Sequence, residues 1–191
     1  MANFISRLWH RNYACIRLLA VVVAIMMIVH IVNHLSGGAL DAWGVIPRQI
    51  SGLPEILLAP WLHGSWSHLF SNLSVLLVLL WLGSLNSITR VYVASIFIIV
   101  VSGALVWGVG RSGIHIGASG WIFGLWGWLL ANACFQRRLY DILIAAVVIL
   151  FYGGLWYGLF PRYRISFEGH LAGLIAGVAC SWLTFRLPRK T

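Results

Sequence analysis

Charge-free apolar runs alternate with short polar connections along the whole chain. No Asp, Glu, Lys or Arg interrupts Leu18 to Leu35, Trp66 to Gly83, Val91 to Val109, Ala118 to Phe135, Ile142 to Phe160 or Gly169 to Phe185. Each run is about the length a helix needs to cross ~30 Å of hydrocarbon. The pattern predicts an all-α membrane protein, a bundle of six transmembrane helices, here numbered spans 1 to 6. The first run is long and has no small-residue cleavage site at its end, so it reads as a retained span rather than a signal peptide.

The connections supply the orientation. Lys and Arg are retained on the cytoplasmic side. With the N-terminus inside, the inner segments hold Arg7, Arg11, Arg17, Arg90, Arg137, Arg138, Arg186, Arg189 and Lys190, nine of the thirteen basic residues. The outer loops hold Arg48, Arg111, Arg162 and Arg164 against Asp41, Glu55 and Glu168, and Asp141 is the one inner acid, so the net charge of +9 divides as +8 inside and +1 outside. This asymmetry predicts a multi-pass protein of the cell membrane, the inner membrane in a Gram-negative cell, with both termini cytoplasmic. Residues 1–17 read as a short basic amphipathic lead on the inner surface, residues 18–185 as one six-helix membrane domain and residues 186–191 as a basic cytoplasmic tail.

With 61% hydrophobic and 9% charged residues, the chain has no soluble basic face for phosphate contacts. The composition therefore points to the lipid bilayer as a partner and away from nucleic acid. Cys15, Cys134 and Cys180 fall in or near the inner half, where no extracellular disulfide forms, and read as small apolar packing residues. No stretch specifies an oligomeric state. The longest connection, Ser36 to Ser65, mixes Pro47, Pro54 and Pro60 with apolar pieces and reads as a structured element in the outer interface.

Polar residues inside the runs carry the candidate chemistry, because such residues usually face a bundle interior or a water-filled cavity. A glycine-rich outer loop, residues 108–117, leads into Gly117-Ala118-Ser119-Gly120 at the head of span 4. Span 2 opens with His68 and Asn72, four residues apart and hence on one helix face, with His63 directed elsewhere. Span 6 opens with Glu168-Gly169-His170. On the topology above, spans 2, 4 and 6 all run from outside to inside, so Ser119, His170, His68 and Asn72 share one depth.

A serine hydroxyl is a poor nucleophile until an adjacent imidazole takes its proton, and His170 is the base available to Ser119. Glu168 lies on another face, which leaves a dyad rather than a triad. The Ser119 backbone N–H with the side chains of His68 and Asn72 supplies candidate donors for an oxyanion. The plainer alternative for His68 and Asn72 is a helix-packing hydrogen bond. Gly120 with Gly124, and Gly173 with Gly177, give spans 4 and 6 smooth faces for close approach.

Other motifs carry two readings. His115 reads chiefly as a loop anchor, with a catalytic role as the alternative. His30 and His34, one turn apart, read as interfacial or packing histidines, with metal binding as the alternative. Tyr152 to Tyr157 reads as an interfacial aromatic belt, with a gate as the alternative. No metal and no cofactor is called for.

With His68-x-x-x-Asn72, Gly117-x-Ser119-Gly120 and His170-x-x-Gly173-x-x-x-Gly177 in this order, the chain resembles the rhomboid intramembrane serine proteases. His63, Ser102-Gly103 in span 3 and the six-span count belong to the same resemblance, which covers the chain from span 1 onward. It implies a rhomboid-like bundle and a Ser119/His170 dyad. It also implies an oxyanion site from His68, Asn72 and the Ser119 amide, and cleavage of transmembrane protein substrates near their outer ends. The chain departs from the family pattern in three places. Leu53-Pro54-Glu55 stands where many members have Trp-Arg, Gly83 to Asn86 lacks a common Glu, and Phe123 replaces a Tyr that packs on the histidine. Phe123 keeps the ring, so catalysis is expected to survive. The rival expectation is a catalytically inactive rhomboid-like protein that binds membrane segments; a small transporter or metal-handling protein is a weaker one, for want of intramembrane carboxylates or a ligand set.

Overall fold

The computed structural model describes residues 2–161 and 166–186, without the side chains of residues 2–11 and 51. The side chains of the first eleven residues of the amphipathic lead, the loop arginines Arg162 and Arg164, and the tail residues Arg189 and Lys190 lie outside this description. The described chain is helical throughout: α1 (Ala2–Leu35), α2 (Glu55–Leu58), α3 (Trp66–Ser84), α4 (Ile88–Val109), α5 (Ser119–Gln136), α6 (Leu139–Tyr152) and α7 (Phe167–Arg186), with 3₁₀ turns between them. Among the described residues, four segments are long and apolar enough to cross a membrane: Asn12–Leu35, Trp66–Ser84, Ile88–Val109 and Leu139–Leu159. The protein is thus a multi-pass helical membrane protein.

Each boundary has a local cause. Ser65 and Ser87 cap α3 and α4 by accepting the N–H of His68 and of Arg90, which satisfies donors that a helix start leaves open. Span 5 is not one α-helix. α6 stops at Tyr152, and Gly153–Leu159 continue as a 3₁₀ turn, because successive glycines weaken the helix.

At the centre lies α5, whose buried residues run around the helix from Trp121 to Asn132. Its partner α7 comes closest. A Cβ on Gly173 would sit 2.1 Å from the Gly120 carbonyl oxygen, and one on Gly177 would sit 1.9 Å from that of Gly124. The glycines of α7 therefore rest on the backbone of α5. The faces are not mirror images, however: Gly124 presents its own bare side to α4, where a Cβ would meet Ile98 at 2.1 Å. The outer helices show the opposite character, with Ile149, Leu150 and Phe151 of α6 exposed as a lipid-facing surface requires.

The Ser36–Ser65 connection folds into small helical pieces tied to the rest. Val45 and His115 exchange backbone hydrogen bonds of 3.0 and 2.9 Å. Arg48 donates its backbone N–H to the Trp107 carbonyl at 2.8 Å and its Nη1 to Gly110 at 2.9 Å. Trp107 Nε1 donates to the Gln49 carbonyl at 2.8 Å. Ile56 of α2 packs into Gly103 of α4, where a Cβ would lie 2.5 Å from it. These ties hold the connection and the 108–117 loop against each other on the side where α5 begins.

Candidate active site

Ser119 is the first residue of α5, so its N–H has no acceptor within the helix and sits at the positive end of the helix dipole. The turn into the helix depends on Gly117, whose φ is +110°. A side chain there would be strained by that backbone, and its Cβ would fall 2.7 Å from the His68 ring. The glycine thus lets the α3 imidazole rest directly on the loop before Ser119. Gly117 also donates its N–H to the Ala59 carbonyl at 2.9 Å, which anchors the turn to the long outer connection.

His170 lies in the first turn of α7 and is buried. Its Nδ1 is 2.7 Å from the Gly158 carbonyl. A carbonyl can only accept, so Nδ1 carries the proton and Nε2 keeps its lone pair. The ring is held flat against Phe123, with centroids 4.1 Å apart and planes within 5°. Gly158 makes room for this stack, since a Cβ there would lie 2.5 Å from the Phe123 ring and 3.2 Å from His170 Nδ1.

Ser119, His170 and His68 line one cavity of about 760 Å³, together with Arg111, His115 and Ser166. The heads of α3, α5 and α7 therefore lie on the same side of the bundle. No hydrogen bond joins Ser119 to His170 among the described residues, and such bonds are commonly long before substrate binds. Asn72 is set differently from His68. It is buried, its Nδ2 donates to the His68 backbone carbonyl at 2.8 Å, its Oδ1 has no partner, and it does not line the cavity.

His63 is packed behind this group, fully buried, with its ring 4.9 Å from that of His68. Neither ring nitrogen has a well-formed hydrogen bond. Burial pushes its pKa down to about 4, the neighbouring His68 adds to the shift, and the Trp61 carbonyl opposes it. His63 is therefore neutral at physiological pH. Its ring packs against His68, whereas spacing alone directs it to a different face.

The remaining candidates fall as follows. His115 is an anchor, with Nδ1 2.7 Å from Ser166 Oγ and Nε2 2.9 Å from the Arg111 carbonyl. Glu168 pairs with Arg111, with a second contact of 3.1 Å, and not with His170. His30 and His34 both meet Trp66, at ring distances of 4.5 and 6.2 Å. Trp156 and Tyr157 are exposed at the 3₁₀ turn. Three contributors, Gly158, Ser166 and Arg111, were not singled out by the sequence reading. The only local signal for Gly158 is the glycine content of Gly153 to Gly158, and Ser166 stands at the N-cap position before α7.

Residues 50–187 match the rhomboid domain family. Uncharacterized proteins of Mycobacterium tuberculosis and Mycobacterium bovis are 38% identical to this chain over 178 residues, covering 88% of it and 74% of their own length. An uncharacterized protein of Mycobacterium leprae is 34% identical over 179 residues, covering 88% of this chain and 71% of its own length. The chain belongs to the rhomboid family.

Proposed function

We propose that this protein is an intramembrane serine endopeptidase that hydrolyses peptide bonds in or near transmembrane segments of other membrane proteins. Ser119 is the nucleophile and His170 Nε2 the general base. The observation that carries this reading is the state of His170, a buried imidazole fixed by Gly158 and Phe123 with its lone-pair nitrogen available, on the same cavity as a helix-opening serine. A base oriented in this way is what activates a weak hydroxyl nucleophile.

In the reaction His170 Nε2 takes the Ser119 proton as Oγ attacks the scissile carbonyl, and the imidazolium then protonates the leaving amine. The Ser119 N–H and the His68 ring donate to the oxyanion, with Asn72 supporting His68 through its backbone. Water repeats the sequence to release the acyl group.

In the membrane, α5 and α7 complete a six-span bundle. Their 18 and 20 residues give ~27 and ~30 Å. α5 is buried around most of its circumference, so it needs less lipid-compatible surface than the outer helices, while α7 keeps Leu171, Ile175 and Trp182 exposed as a lipid-facing side. The charge count places both termini in the cytoplasm and the cavity on the outer side of the cell membrane. Substrates are then transmembrane proteins cut near their outer ends.

The reading is tested by reconstituting the purified protein in liposomes with single-span membrane proteins and following their cleavage. Wild type is expected to cut, and Ser119→Ala and His170→Ala to remain folded and inactive. Cleavage by Ser119→Ala would overturn the assignment. Binding of spans without cleavage by the wild type would establish the inactive membrane-segment binder instead.

A further inference from the structure

We infer that His115 is a positioning residue, which sets the catalytic register by bonding Ser166; this rests on the Ser119/His170 reading. His115 stands four residues before Ser119, and Ser166 stands four residues before His170. Nδ1 of the one and Oγ of the other are 2.7 Å apart. One hydrogen bond therefore ties the chain entering α5 to the chain entering α7, just above the two residues that must meet.

The protons in this bond can be assigned. His115 Nε2 lies 2.9 Å from the Arg111 carbonyl, which only accepts, so in the neutral ring Nε2 carries hydrogen and Nδ1 accepts. The Ser166 hydroxyl then donates to Nδ1. Its lone pairs remain free to accept the Gly169 N–H at 3.3 Å, while the Ser166 carbonyl accepts the N–H of His170 at 3.3 Å. Ser166 is thus both the cap of α7 and the acceptor for the backbone of the base. Displacing its side chain shifts the first turn of α7, and His170 with it.

The other end of the link is equally fixed. The His115 backbone is held on both sides by Val45, and Gly117, two residues on, is held by Ala59. Arg111 of the same loop pairs with Glu168 and lies over the Phe167 ring at 4.9 Å. That ion pair is exposed on its arginine side and is worth little alone. The partly buried His115–Ser166 bond is the one that sets distance. Displacements of ~1 Å between reacting groups cost on the order of 100-fold in rate, so loss of this bond is read in turnover rather than in substrate affinity.

Isosteric variants separate the two bonds of His115. Gln places its amide near Nε2 and keeps the Arg111 contact but loses Ser166; Asn places its amide near Nδ1 and keeps Ser166. We expect His115→Gln and Ser166→Ala each to lower kcat per active site by roughly tenfold or more, with KM within about twofold; thermal stability should be nearly unchanged in His115→Gln and fall modestly in Ser166→Ala, which also gives up the cap of α7. His115→Asn and Ser166→Thr should each recover most of the rate. The double variant of His115→Gln and Ser166→Ala should be no worse than Ser166→Ala alone, because the bond between the two residues is already absent there. The inference is overturned if both loss variants turn over within about twofold of wild type, if Asn and Thr fail to recover the rate, or if the loss merely follows the unfolded fraction. Ser119→Ala run alongside separates the two levels: cleavage by that variant sinks the dyad, whereas inactivity of that variant with normal rates in His115→Gln and Ser166→Ala sinks only the link.

Discussion

The same two helices, α5 and α7, carry polar pairs at both ends, and the ends are built to opposite rules. At one end, the inner one on the charge count, Ser181 Oγ donates to Asn132 Oδ1 at 2.7 Å, with both residues buried. At the other, the outer one on that count, Ser119 and His170 share a cavity of about 760 Å³ and make no hydrogen bond to each other among the described residues. A buried polar pair that satisfies itself contributes packing and nothing else. A pair held nearby by other partners, with a lone-pair nitrogen and a hydroxyl still to spend, is poised for chemistry. Geometry thus separates structural from reactive polarity where residue type alone does not.

The largest effect is expected where both ends depend on one contact. Gly177→Ala drives a methyl to within 1.9 Å of the Gly124 carbonyl oxygen, which only separation of the helices relieves. Stability in detergent should fall by about 3 kcal/mol or more, and activity should be lost with it. Gly153→Ala is the matched control, because nothing lies within 4 Å of its Cβ, and it should stay within about 0.5 kcal/mol of wild type. Equal melting temperatures for the two variants would show that the central helices are not in backbone contact.

Next comes the donor set of the outer end. Removing one oxyanion donor typically costs ~100 to 1000-fold in kcat. His68→Ala should show a loss of that order, since the ring lines the cavity. Asn72→Ala should lose less, roughly tenfold, because its amide is occupied by the His68 carbonyl and acts by holding that turn. Turnover per active site near wild type in His68→Ala would return this histidine to a packing role; a larger loss from Asn72 than from His68 would reverse the order proposed here.

The smallest effect belongs to the inner end. Ser181→Ala strips Asn132 of its partner and should cost about 1 kcal/mol of stability, with kcat in the folded fraction unchanged. A fall in kcat there without loss of stability would mean that the two ends are coupled, and would blur the contrast.

Much of this arrangement is legible in the sequence. Runs free of charge locate the helices because lipid excludes charge, and the spacing of Gly173 and Gly177 marks a face with nothing on it. Ser119, His170 and His68 stand out because polar residues are rare in such runs. What remained hidden is tertiary. The spacing of His68 and Asn72 places both on one face, but not that Asn72 turns back onto its own helix while His68 reaches Gly117. Nothing in the sequence around His115 marks its partner Ser166, 51 residues away, and Gly158 gives no sign that it makes room for a histidine and a phenylalanine. The 3₁₀ turn that interrupts span 5 follows from Gly153 and Gly154, yet an apolar count reads straight through it. By apolarity alone four segments among the described residues qualify as spans; α5 falls outside that set with glycines, tryptophans and Asn132 on the sides it turns to protein, and α7 with Glu168 and His170 in its first turn.

The most direct test of the central claim is labelling with a serine-directed fluorophosphonate followed by mapping of the modified peptide. One label per chain is expected on Ser119, with no label in Ser119→Ala and labelling at least ~100-fold slower in His170→Ala, the scale of general-base assistance. A label on any other residue, or undiminished labelling of Ser119→Ala, would contradict that claim.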